Sequence, residues 1–148
     1  AKAAFVATQS NSVDESNIEL LTDVSSLANG AKSFKLYCAP CHAESGGSMP
    51  GGVGPNLTDD YWIHGGSITD IFKTIKYGVP EKGMVSWEAQ LSPAKIQEVT
   101  SYIKSLRGTN PENAKEAQGD LWMEKAAPIE ENSNDSNVLD AEEITSIE

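Results

Sequence analysis

The sequence predicts an all-α domain of helices and long loops, flanked by polar, acidic segments. Three observations carry that expectation. Two stretches have apolar residues at helical spacing with clear start and stop signals, no stretch alternates like a strand, and the charge distribution singles out the centre of the chain. The 148 residues include 11 basic and 22 acidic side chains, for a net charge of −11. Residues 1–23 carry −3, residues 24–110 carry +1 and residues 111–148 carry −9. Only 39% of the chain is hydrophobic, enough for a core in the middle but not throughout. The expected organisation is therefore a polar leader or linker over 1–23, a folded domain over 24–110, and an acidic extension over 111–148 that is partly disordered or packed on the domain. No apolar run approaches the roughly 20 residues that cross a bilayer, and the N-terminus does not read as a signal peptide. An acidic chain without a basic patch excludes nucleic acid as a partner.

The first helix is expected from Asp23, where Leu27, Ala31, Phe34 and Cys38 follow one another at spacings of four, three and four. Gly30 inside it costs about 1 kcal/mol against alanine unless close packing requires the missing side chain. Residues 43–56 hold five glycines and two prolines and must be loop. A short helical turn is expected at Thr58–Ile63. Ser67 and Asp70 form a variant capping box before Ile68, Ile71, Phe72 and Ile75, and Gly78 and Pro80 stop that helix. Ser92 is placed to cap the last helix, with Pro93 at its first position and a stripe of Ile96, Val99, Ile103 and Leu106 beside Tyr102, ended by Gly108.

The chemistry concentrates at Cys38-Ala39-Pro40-Cys41-His42. Two thiols one helical turn apart, with an imidazole beside the second, suit two thioether links to a haem whose iron the histidine ligates. Structural zinc would need four donors, and only His64 remains as another Cys or His. A redox dithiol belongs at a helix start after a strand, whereas here a helix precedes the motif. A plain disulfide would leave His42 and the glycine loop unexplained. A buried porphyrin would also supply core that this small, loop-rich domain lacks.

A sixth iron ligand must come from elsewhere in the chain. Met84 lies 42 residues beyond His42, in the loop between the two well-marked helices. Met49 is only seven residues past His42, Met123 is in the tail, and His64 is the rival. A thioether favours ferrous iron and a relatively high potential, and closes the position that a peroxidase or gas sensor keeps open.

The run Gly54-Pro55-Asn56-Leu57-Thr58-Asp59-Asp60-Tyr61-Trp62-Ile63-His64-Gly65-Gly66-Ser67, with Lys76-Tyr77-Gly78-Val79-Pro80 and Lys82-Gly83-Met84-Val85-Ser86-Trp87, resembles the haem-c subunit of cbb-type haem–copper cytochrome c oxidases. The resemblance extends over about residues 24–122, through Gln118-Gly-Asp-Leu-Trp. It implies a class I cytochrome c fold wrapped around one covalent haem c, with His42 and Met84 as axial ligands. It further implies that the Pro55 carbonyl accepts a hydrogen bond from the His42 ring, that Trp62 and Trp87 flank the haem, and that Gly30 and Phe34 lie where the first helix crosses the last near Tyr102. Many such subunits have two haem motifs and a membrane helix; this sequence has one motif and no such helix.

The implied function is electron entry into a terminal oxidase, with a free or tethered monohaem carrier as the alternative. The resemblance implies redox proteins as partners, a periplasmic or equivalent location, and the membrane reached only through a tether or partner complex. The acidic tail is expected to lie over a lysine-bearing face around Lys73, Lys76 and Lys82, competing with an acidic partner.

Overall fold

In the computed structural model, which describes residues 13–123, the Asp23 carboxylate accepts from the Ser26 amide at 2.9 Å and starts α1, Val24–Ser33. The helical path does not end at Ser33. It widens into a π-helical segment, Phe34–Cys38, and tightens again into α2, Ala39–His42. The Ala39 amide reaches back to the Phe34 carbonyl, five residues away. Pro40 has no amide to offer the Leu36 carbonyl, so a regular ladder would have a gap at this point. Phe34 and Cys38 are buried as the spacing predicts, while Leu27 and Ala31 are half-buried.

Helix α3, Ile68–Tyr77, has the complete capping box. The Asp70 amide donates to Ser67 Oγ at 3.0 Å, and the Ser67 amide donates to the Asp70 carboxylate at 3.4 Å. Gly78 ends it at φ 72°, where a Cβ would stand 2.6 Å from the Ser86 nitrogen. Helix α4, Pro93–Ser105, is capped by Ser92 Oγ, which accepts from the Lys95 amide at 3.3 Å. Helix α1 packs most extensively on α4, and α3 also packs on α4. At the α1–α4 crossing a Cβ on Gly30 would clash with the Glu98 carbonyl and sit 2.8 Å from Tyr102 Cβ. The helices approach too closely for any side chain there, which is the packing reason a mid-helix glycine needs. Phe34 and Tyr102 rings lie 5.5 Å apart at the same crossing, and Phe34, Phe72, Ile96 and Val99 form the driest part of the core.

The expected turn of helix at Thr58–Ile63 does not form. Asn56 Oδ1 accepts from the Thr58 amide at 2.8 Å and Asp59 Oδ1 from the Tyr61 amide at 3.0 Å. Such side-chain bonds offer the backbone an alternative to a helix. Residues Tyr61–Trp62 instead form β1, paired antiparallel with β2, Asp120–Leu121, so that Tyr61 faces Leu121 and Trp62 faces Asp120. The domain is thus helical with one short ladder rather than all-α. Two-residue strands leave no periodicity for a sequence pattern to register.

Both flanks contribute to the domain among the described residues. Ile18 is buried in the core, the Leu21 amide donates to Ser101 Oγ at 3.0 Å, and Gln97 Nε2 donates to the Glu19 carbonyl at 2.8 Å. Glu15 pairs with Lys76 and accepts from the Tyr77 hydroxyl, so one lysine of the expected basic face is already taken by the N-terminal segment. Residues 111–123 return across the loops as a strap. The expectations placed on 1–12 and 124–148 lie outside the described residues.

Candidate haem site

The end of the π-helical segment, at Cys38, and helix α2, with Cys41 and His42, present the three motif residues at a cavity of about 560 Å³, within the usual range for a cofactor site. Cys38 is buried, and burial together with the neighbouring Cys41 thiol pushes its own thiol up to about 12; Cys41 is exposed at the rim. His42 Nδ1 lies 3.0 Å from the Pro55 carbonyl oxygen. A carbonyl can only accept, so Nδ1 carries the proton and the ring's lone pair is on Nε2, the atom available to a metal. Burial lowers the imidazole's proton affinity, with the Pro55 bond opposing and the positive charge of Lys115 adding to the effect.

The glycine loop is folded tightly behind that ring. The Gly54 amide donates to the Cys41 carbonyl at 3.1 Å, the Ser48 amide to the His42 carbonyl at 2.8 Å, and Ser48 Oγ to the Gly54 carbonyl at 2.6 Å. A Cβ on Gly54 would lie 2.7 Å from His42 Nδ1 and Cε1. Glycine is required because the backbone itself packs against the imidazole.

Met84 reaches the same cavity from a different segment. The Val79 amide donates to the Met84 carbonyl at 2.8 Å and the Met84 amide donates back to the Val79 carbonyl at 3.1 Å. The short 3₁₀ turn Pro80–Lys82 and Gly83, at φ 91°, close the hairpin between them. Ser86 Oγ donates to the Lys76 carbonyl and the Trp87 amide to the Ile75 carbonyl, fastening the loop to the end of α3.

Every residue expected at the site lines this one cavity: Cys38, Cys41, His42, Pro55, Trp62, Met84 and Trp87. So does His64, which is exposed. Met49 and Met123 are exposed and do not line it. The Trp87 ring lies 5.3 Å from that of Tyr37, tilted by 53°, while Trp62 sits in β1 with its carbonyl against Gly119 of the strap. Among the described residues no three His, Cys, Asp or Glu side chains converge as a metal-binding group. The remaining donor set fits a haem: two thiols for covalent attachment, an oriented imidazole, a thioether, and a wall of Leu57, Ile71, Ile75 and Val79 to receive a flat apolar ring.

Sequence reasoning missed Tyr37, Gln118 and Lys115. Gln118 lines the cavity from the strap, and Lys115 holds the glycine loop from behind. The one available signal was a lone lysine before the Gln-Gly-Asp-Leu-Trp run, inside an otherwise acidic stretch.

Comparisons with known proteins bear on the family and the fold. Residues 25–103 match the family described as cytochrome c oxidase, cbb3-type, subunit III. The cbb3-type cytochrome c oxidase subunit FixP of Azorhizobium caulinodans is 38% identical over 104 residues, covering 66% of this chain and 34% of that protein. Subunit CcoP of Cereibacter sphaeroides is 40% identical over 90 residues, covering 58% and 29%. This chain therefore spans about a third of the length of the curated relatives it matches. Among solved structures, cytochrome cL of Methylophaga aminisulfidivorans superposes with a TM-score of 0.53 at 24% identity, over 58% of this chain and 56% of that one, which establishes a cytochrome c fold. With more than half of its length matched, this chain belongs to the cbb3-type cytochrome c oxidase subunit III family.

Proposed function

We propose that this chain is a single-electron transfer domain that carries one covalent haem c and passes electrons toward the catalytic subunit of a cbb3-type terminal oxidase, itself performing no oxygen chemistry. The observation that supports this most strongly is the convergence of Cys38, Cys41, His42 and Met84 on one cavity, from segments separated by 42 residues of sequence. When bound, the haem supplies an iron that cycles between ferric and ferrous states. The chain supplies everything else. Cys38 and Cys41 anchor the ring, His42 and Met84 hold the metal, and Pro55 fixes the His42 tautomer. Trp62 and Trp87 cover the haem and exclude water, with His64 at the rim. The working unit extends beyond 24–110 to take in the packed flanks, 13–123.

The partners in this reading are redox proteins, met on the outer side of the cytoplasmic membrane. No helix among the described residues is long and apolar enough to cross a bilayer, so membrane contact would come through a partner complex or a tether outside them. The test is production of the chain in a host that attaches haem c. One haem per chain should survive denaturation and be lost in a Cys38→Ala, Cys41→Ala double variant. Wild-type protein without covalently retained haem would remove the proposal.

A further inference from the structure

Lys115 belongs to the strap rather than to the haem motif, yet it touches the glycine loop at every level. Its backbone amide donates to the Gly47 carbonyl at 2.9 Å, and its carbonyl accepts from Asn56 Nδ2 at 2.9 Å. Its ammonium donates to the Gly52 carbonyl at 2.8 Å and the Gly54 carbonyl at 3.4 Å. Gly54 is the residue packed against the His42 ring, and Pro55, next in sequence, carries the carbonyl that orients it. The side chain is half-buried, and among the described residues no carboxylate forms an ion pair with it. The acidic neighbours Glu112 and Glu116 are exposed to water. An ammonium drawn into a site and met only by neutral carbonyls has no counter-charge beside it to offset the cost of desolvation. Packing alone would be served equally well by an uncharged side chain.

We infer that Lys115 is a positioning residue for the His42 side of the site: it braces the loop that orients the imidazole and keeps a fixed positive charge behind it. This rests on the haem reading above. Positive charge near the ligand disfavours the more positive ferric state, so a haem held at His42 is biased toward the ferrous form. Because the ammonium is partly open to solvent, the effect is about a tenfold change in the ferrous-to-ferric ratio or less.

The experiment is redox titration of the haem-loaded wild type, Lys115→Met and Lys115→Arg. Both variants keep the two backbone bonds, so the strap remains in place. Lys115→Met should lower the ferrous-to-ferric ratio at fixed ambient potential by about three- to tenfold, a fall in midpoint of about 30–60 mV at 59 mV per tenfold for one electron. Lys115→Arg should restore the ratio to within about twofold, since it keeps the charge and can reach the same carbonyls. A Lys115→Met variant that loses its haem while Lys115→Arg keeps it also supports the assignment. Haem in all three proteins with no shift in Lys115→Met, or equal shifts or equal haem loss in both variants, overturns the role of Lys115 and leaves the haem reading standing. A wild type without covalent haem overturns the reading itself.

Discussion

The two sides of the cavity are built differently. On the His42 side, the ring is fixed by a loop whose own short-range bonds are backed by supports from far along the chain: Lys115 lies 61 to 63 residues from the carbonyls its ammonium holds, and Asn56 reaches 59 residues to the strap. On the Met84 side every support is local. Val79, Ile75 and Lys76 lie within 12 residues of the groups they bond. Long-range supports release only when the domain opens, whereas a local hairpin can open by itself. The structure therefore holds His42, the first ligand in the proposed reading, firmly, and Met84, the second in that reading, on a small, separable loop.

Glycine substitutions test that contrast most strongly. Gly54→Ala should cost about 2–3 kcal/mol, because its Cβ meets the His42 ring and stands 2.9 Å from the Cys41 carbonyl, and neither is free to retreat. Denaturant midpoints at unchanged slope would read this out. Gly83→Ala, on the Met84 side, meets nothing within 4 Å and is strained only by its φ of 91°, so about 1–2 kcal/mol is expected. If Gly83→Ala proved the more damaging, the ordering of the two sides would be wrong. A smaller effect is expected in hydrogen exchange of the haem-loaded protein. The Val79 and Met84 amides should exchange at least about threefold faster than those of Ser48 and Gly54. Equal protection would mean that the two sides open together.

What the sequence made legible follows the same division between local and distant contacts. The caps of α3 and α4 were readable because Ser67 with Asp70, and Ser92 with Pro93, act within one helical turn. The glycine stops and the Gly30 crossing were readable too, the latter through the family pattern rather than from periodicity. Other contacts with remote partners were not read: Ser101 receiving the Leu21 amide 80 residues away, the pairing of β1 with β2, and Lys115 bracing the glycine loop, for which a lone lysine in an acidic stretch was the one signal. The π-helical turn at Phe34–Cys38 escaped because apolar spacing registers a helix without registering its pitch. At the site itself, the residue types were legible, and of their supports only the Pro55 carbonyl at His42, through the family pattern. This also changes the design of a tail experiment. A cut after residue 110 would remove the strap and its lysine together with the acidic tail, so electrostatic effects of the tail are isolated only by a cut after 123.

The assignment of the second axial ligand is where the two sides meet, because His64 shares the cavity with Met84. Absorption spectra of the ferrous, haem-loaded Met84→Ala and His64→Ala variants compare the two candidates directly. Loss of the low-spin spectrum in Met84→Ala, with His64→Ala indistinguishable from wild type, is the expected result. A low-spin ferrous spectrum that survives in Met84→Ala and disappears in His64→Ala would contradict it.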